Sequence, residues 1–139
     1  MIWPTKKLGE VLEKIPQIRG IKTNLYHKEG QYPIIDQGQS FIAGYSDNET
    51  AVYKGRLPVV VFGDHTRAIK FLEYPFVLGA DGTKILLPNK EFDGKFFYFS
   101  LLNLNIKTRG YARHYKVLRE KEIPLPPLEI QKKIVKKIE

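Results

Sequence analysis

Five consecutive residues near the middle of this chain, Pro58-Val59-Val60-Val61-Phe62, constrain its fold most. Branching at Cβ restricts valine side chains and favours a pleated, extended backbone. The run is apolar at nearly every position, so it reads as a buried strand. Gly63-Asp64 breaks it, and Ala68-Ile69-Lys70-Phe71-Leu72 resumes a strand pattern after the turn. The same rhythm extends to either side. Tyr32-Pro33-Ile34-Ile35-Asp36 is closed by Gln37-Gly38, and Ala51-Val52-Tyr53 is closed by Lys54-Gly55. Phe76-Val77-Leu78 and Lys84-Ile85-Leu86-Leu87 flank the turn Gly79-Ala80-Asp81-Gly82. Short strands with frequent Gly, Pro and Asp punctuation predict a compact, mostly β unit.

Helical signals lie outside that block. Leu8, Val11 and Leu12 have helical spacing and predict one short amphipathic helix over 7–13. Phe96, Phe97, Phe99, Leu101, Leu102 and Leu104 follow Asp93, an N-cap candidate, and predict a buried helix. Ile123-Pro124-Leu125-Pro126-Pro127 forces an extended connector, because proline fixes φ and restricts the residue before it. A helix then opens at Pro127 or Leu128, where proline is tolerated. Ile130, Ile134 and Ile138, broadened by Val135, form one apolar stripe. Lys132, Lys133, Lys136 and Lys137 lie opposite. No glycine or asparagine closes this helix, so it either packs on this domain or continues in a longer parent chain; continuation to meet a partner helix is the expectation, and a protein-interaction module acting through this helix is an alternative function. The resulting class is α+β: a compact, mostly β domain with few short helices, ending in the start of a long amphipathic one.

Composition narrows the function. The 139 residues suit one domain, and the absence of cysteine excludes structural disulfides and cysteine zinc sites. No run spans a bilayer and no signal-like stretch opens the chain, so a cytoplasmic location without a membrane partner is the default expectation. The formal net charge of +8 favours a polyanionic partner. It is concentrated at one end: from Lys107 onward, ten Lys and Arg face four Glu. Charge alone does not separate a nucleic-acid binder from a basic surface. No G-x-x-x-x-G-K-S/T, G-x-G-x-x-G or G-x-S-x-G sequence occurs, which removes the common phosphate-cradling loops and the nucleophile elbow.

Two sets of polar residues remain. Asp64, His65 and Asp81, with Glu73 and Lys84, are candidates for a metal-dependent nuclease, with carboxylates holding a cation and lysine stabilising charge. The spacing is unspecific, and Asp-Gly pairs are ordinary turn formers, so the turn assignment ranks first. The other set suits DNA. A hairpin tip bearing His65, Thr66 and Arg67 offers donors and acceptors, since arginine bonds guanine bidentately and threonine offers a hydroxyl or a methyl group. Lys84 joins it. The basic segment with Lys107, Arg109, Tyr111, Arg113, His114 and Lys116 can supply phosphate contacts. His27 and His114 lie in polar stretches and also read as solvated residues, and the basic segment also reads as a surface loop.

Several segments taken together resemble one family. They are Trp3 with Lys7-Leu8-Gly9-Glu10, Tyr32-Pro33-Ile34-Ile35, Val61-Phe62-Gly63-Asp64-His65-Thr66-Arg67, Gly79-Ala80-Asp81-Gly82-Thr83-Lys84, and the run from Ile123 through Leu128-Glu129-Ile130-Gln131-Lys132-Lys133-Ile134. Their order and spacing are similar to a target recognition domain of the specificity subunit of type I restriction-modification systems. That resemblance implies recognition of one half of a bipartite double-stranded DNA target, without catalytic residues, cofactor or metal in this chain. It also implies a domain over 1–122 and the start of a spacer helix over 123–139, with Ile130, Ile134, Val135 and Ile138 facing a partner helix. The implied partners are a methyltransferase subunit, a restriction subunit through the complex, and a second recognition domain in the same parent chain or by dimerisation.

Overall fold

The computed structural model describes residues 3–108, 110 and 113–139. Its elements are β1 (Thr5–Lys7), β2 (Tyr32–Ile35), β3 (Gly44–Ser46), β4 (Val59–Gly63), β5 (Ile69–Leu72), β6 (Val77–Leu78), β7 (Thr83–Leu86), α1 (Gly94–Leu102), α2 (Tyr115–Leu118), β8 (Glu122–Pro124) and α3 (Leu128–Ile138). The strands form three small sheets, ordered β5-β4-β7, β3-β2-β6 and β1-β8. All pairings are antiparallel except β2 with β6.

The strand β4 is central, and its pleat explains its composition. Val60 and Phe62 point into one core, with Leu8, Leu86, Phe97, Leu101, Leu118, Ile123 and Val135. Val59 and Val61 point the other way, into a second core with Ile35, Tyr53, Leu72, Phe76 and Leu87. Successive side chains of a strand face opposite sides, so a strand between two apolar layers has no polar position. Flanking pairings set the register: Val61 lies opposite Lys70 on β5 and Ile85 on β7.

The helix α1 begins as expected. The Asp93 carboxylate accepts the Phe96 N–H at 3.1 Å and so caps the first turn. Phe96, Phe97 and Leu101 are buried, whereas Leu102 stays exposed. At the other end of the chain, β8 pairs with β1, and α3 packs back on this core.

Four expectations are corrected. The segment over 7–13 is not an α-helix. Only Leu8–Glu10 makes a single 3₁₀ turn, because the chain then leaves to bridge Pro88 from Leu12 and to bond the Leu87 carbonyl from Glu13. Ala51-Val52-Tyr53 is not a strand. Glu49–Ala51 is a 3₁₀ turn capped by Asn48, and Val52 makes one bridge to Val77. The segment around Lys107–Lys116 is not wholly a loop, since it enters the short α2. Lastly, Val135 does not share a partner-facing side of α3 with Ile130, Ile134 and Ile138. Gln131 and Val135 are the buried residues of that helix, so Val135 belongs to the domain's own core and is closed to a partner helix. Ile130 and Ile134 are half-buried, and Ile138 is exposed.

Gln131 explains this choice of face. Its side-chain oxygen accepts the Asp93 N–H at 2.7 Å, and its nitrogen donates to the carbonyls of Glu91 and Pro126 at 2.9 and 2.8 Å. One buried amide thus ties α3 to the turn before α1 and to the proline connector. A charged pair, Lys95 with Glu139, joins the far end of α3 to α1.

Candidate nucleic-acid interface

Three loops meet at one end of the sheets. They follow β2, β4 and β6, and they carry Asp36–Gly38, Asp64–Arg67 and Gly79–Gly82. With Arg113 they line a polar cleft of about 610 Å³ whose charged residues are Asp36, Asp64, Asp81, Lys84 and Arg113, with His65 beside them.

The loops are joined by one side chain, Gln37. Its oxygen accepts the His65 N–H at 2.9 Å, and its nitrogen donates to the Asp81 carbonyl at 2.8 Å. Its own carbonyl accepts the Thr66 hydroxyl at 2.7 Å. Such close approach needs Gly63, where an added Cβ would lie 2.6 Å from the Gln37 Cβ. Gly82, at φ 73°, lets the β6–β7 turn face the same amide. Nothing in the sequence marked Gln37 beyond its place after a strand, since its partners lie 28 and 44 residues away.

Beneath the first loop lies Lys70, 6% exposed on β5. Its ammonium donates to the carbonyls of Asp36 and Ser40 at 2.7 and 2.8 Å. Burial lowers its pKa from the usual lysine value, and the nearby Asp36 charge opposes that shift. The Asp36 carboxylate accepts the Gly38 N–H and the Tyr26 hydroxyl at 2.8 and 3.0 Å.

The residues expected to touch DNA divide. His65 is half-buried in the cleft wall, and Thr66 and Arg67 are exposed at the turn tip. Arg67 adopts φ 65° and donates one guanidinium N–H to the Ile106 carbonyl at 2.6 Å. That bond brings the exposed Lys107 beside the turn. Lys84 is half-buried, with its ammonium 5.7 Å from the Tyr115 ring centroid, a cation–π contact. Arg113 is exposed on the cleft rim. Lys116 is exposed but lies along a separate groove with Val117, Glu120 and Lys121. Arg109 and Tyr111 fall outside the described residues. His114 is a correction: it is fully buried and neither solvated nor open to DNA. Its ring Nδ1 lies 2.9 Å from the Asp64 carbonyl oxygen. His27 is exposed, as expected.

The metal constellation does not assemble. Asp64 is 2% exposed, and its carboxylate accepts the backbone N–H groups of His114 and Tyr115 at 2.9 and 2.7 Å. It serves as a helix cap for α2. Glu73 follows β5 beyond Leu72, which pairs with Val59 at the opposite end of the sheet from Asp64 and Asp81. Among the described residues, no group of three or more His, Cys, Asp or Glu is arranged to hold a metal ion. The arrangement can instead present cations and neutral donors on a pinned set of loops.

Comparison with known proteins agrees with this geometry. The chain is 28% identical over 153 residues to the specificity subunit of the EcoR124I/EcoR124II type I restriction enzyme of Escherichia coli, covering 93% of this chain and 35% of that protein. Its fold is similar to the crystal structure of the type I restriction-modification S subunit of M. genitalium, with a TM-score of 0.74, 20% identity, and coverage of 97% and 37%. The HsdS subunit of Thermoanaerobacter tengcongensis is also similar, with a TM-score of 0.60, 21% identity, and coverage of 98% and 36%. The chain therefore spans about a third of the length of these relatives. Residues 2–139 match the family model of the type I restriction modification DNA specificity domain, and the chain belongs to that family.

Proposed function

We propose that this chain reads one half of a bipartite double-stranded DNA target for a type I restriction-modification complex, and that it carries no catalytic step itself. The observation that carries this reading is the loop cluster joined by Gln37. It sets Lys84 and Arg113 in the lining of a polar cleft, with Arg67 at the tip of the β4–β5 turn and Lys107 next to its partner Ile106, within a chain of the DNA specificity family. Cations at the rim neutralise phosphates and set orientation, while groups on the pinned loops face base edges.

In this proposal methylation and cleavage belong to partner subunits, a methyltransferase and through it a restriction subunit. The second half of the target falls to another recognition domain, joined through continuation of α3 or by dimerisation, with residues 1–122 as the reading domain and 123–139 as the start of the spacer. The complex works in the cytoplasm. Among the described residues no helix is long and apolar enough to cross a membrane.

Fluorescence anisotropy with labelled duplex DNA tests the proposal. Affinity should fall steeply as salt rises, because each neutralised phosphate releases counterions. A binding constant that barely responds to salt, or no binding at low salt, would overturn it.

A further inference from the structure

The loop joining β2 to β3 is fixed more firmly than a connector requires. Lys70 holds the carbonyls of Asp36 and Ser40, Thr66 holds that of Gln37, and the Asp36 carboxylate holds the Gly38 N–H. The Gln37 amide is spent on the two neighbouring loops. Gln39 sits at the centre of this frame and takes no part in it. Its side chain is exposed and makes no hydrogen bond among the described residues. A carboxamide with no bond of its own to break, carried on a fixed backbone, offers a ligand a donor and an acceptor, and binding then orders its side-chain torsions.

Beside it runs a groove of about 530 Å³ between the loop and the start of β5, lined in part by Gln39, Phe41, Ala68 and Ile69. Phe41 is 43% exposed. The surface thus pairs one amide with an adjacent apolar notch, with the cation Arg67 next to Ala68. An A·T pair offers the matching pattern in the major groove. Adenine presents N7 as acceptor and N6 as donor, which a glutamine amide meets with two bonds, and thymine presents a methyl group. Cations alone bind phosphate without choosing a base.

We infer that Gln39 and the Phe41–Ala68–Ile69 notch read one A·T base pair: the Gln39 amide bonds adenine N6 and N7, and the notch receives the thymine methyl. Gln37 and Lys70 are positioning residues that hold the reader in place. This assignment rests on the DNA-reading proposal above.

The test is selection of bound duplexes from a pool with a randomised core, using the parent chain and Gln39→Ala. The parent should enrich a motif that includes an A·T position. In Gln39→Ala the enrichment at that position should fall about tenfold, while the other positions persist. In the selected duplex, replacing that thymine by deoxyuridine removes only the methyl group. It should weaken the parent several-fold and leave Phe41→Ala indifferent. Both side chains are exposed, so thermal midpoints of the variants should match the parent. If Gln39→Ala enriches the parent motif unchanged, loses every position equally, or loses a G·C position, the assignment is overturned while DNA reading stands. If deoxyuridine leaves the parent unaffected, the methyl contact is overturned. A parent chain that enriches no motif overturns the DNA-reading proposal and this assignment with it.

Discussion

The carboxylate of Asp64 accepts the backbone N–H of Tyr115 at 2.7 Å, across 51 residues of sequence. It also accepts that of His114, which is shared with the Asp64 backbone carbonyl. A buried acid at the turn after β4 therefore starts α2 and fixes where the basic segment returns to the domain. This capping role makes the first prediction. Asp64→Ala leaves buried N–H groups without their charged acceptor and should cost about 3 kcal/mol in a urea unfolding titration. Asp64→Asn keeps an acceptor and should cost less. An unchanged midpoint for Asp64→Ala would refute the capping role.

DNA contact by exposed cations predicts a different signature. Arg113→Ala and Lys107→Ala should each weaken binding and lower the slope of log affinity against log salt by about one, with thermal midpoints unchanged. His114→Ala should behave in the opposite way. Its side chain is fully buried, so stability should fall and any loss of binding should track the unfolded fraction. A lower salt slope in His114→Ala at full stability would contradict its placement in the core.

The buried anchors of α3 are an amide and a valine. Gln131→Leu strands the Asp93 N–H and two carbonyls, and should cost about 3 kcal/mol. Val135→Ala should cost about 2 kcal/mol by opening space in the core. Ile138→Ala, at an exposed position, should stay within about 0.5 kcal/mol of the parent. Equal costs for Val135→Ala and Ile138→Ala in chemical denaturation would show the helix face to be wrong.

Tyr26 predicts a pH dependence. Burial raises its pKa well above the usual value of 10.0, and its hydrogen bond to Asp36 and the Asp36 charge add to this. The folded state thus holds the proton more tightly than the unfolded chain. Its contribution is fully present below the unfolded pKa of about 10 and is lost as pH climbs toward the folded value. Stability measured from pH 9 to 12 should therefore fall less steeply in Tyr26→Phe than in the parent. Parallel curves would remove Tyr26 as the cause.

Much of the secondary structure was legible because it depends on near neighbours. The β-branched run ending at Phe62, the Asp93 cap and the proline connector each act through bonds or sterics within a few residues. Ala51-Val52-Tyr53 failed as a strand for a related reason: Asn48 offers a local side-chain acceptor that tightens the backbone into a turn instead. The place of Val135 on α3 is not legible from periodicity, which counts apolar residues only. A glutamine with three satisfied hydrogen bonds can be buried more fully than the isoleucines around it.

Residue pattern alone was enough for an α+β domain built on a buried central strand, a basic C-terminal region, an amphipathic last helix, and a resemblance to DNA specificity domains that the family match bears out. It took the packed fold to make Asp64 a cap, to bury His114 in the core, and to let Gln37 join three loops into one surface. That fold alone also left the Gln39 amide exposed on a fixed frame. These roles rest on hydrogen bonds between residues as much as 51 positions apart. Their strength depends on burial and on distances of about 3 Å, which residue type and spacing do not encode.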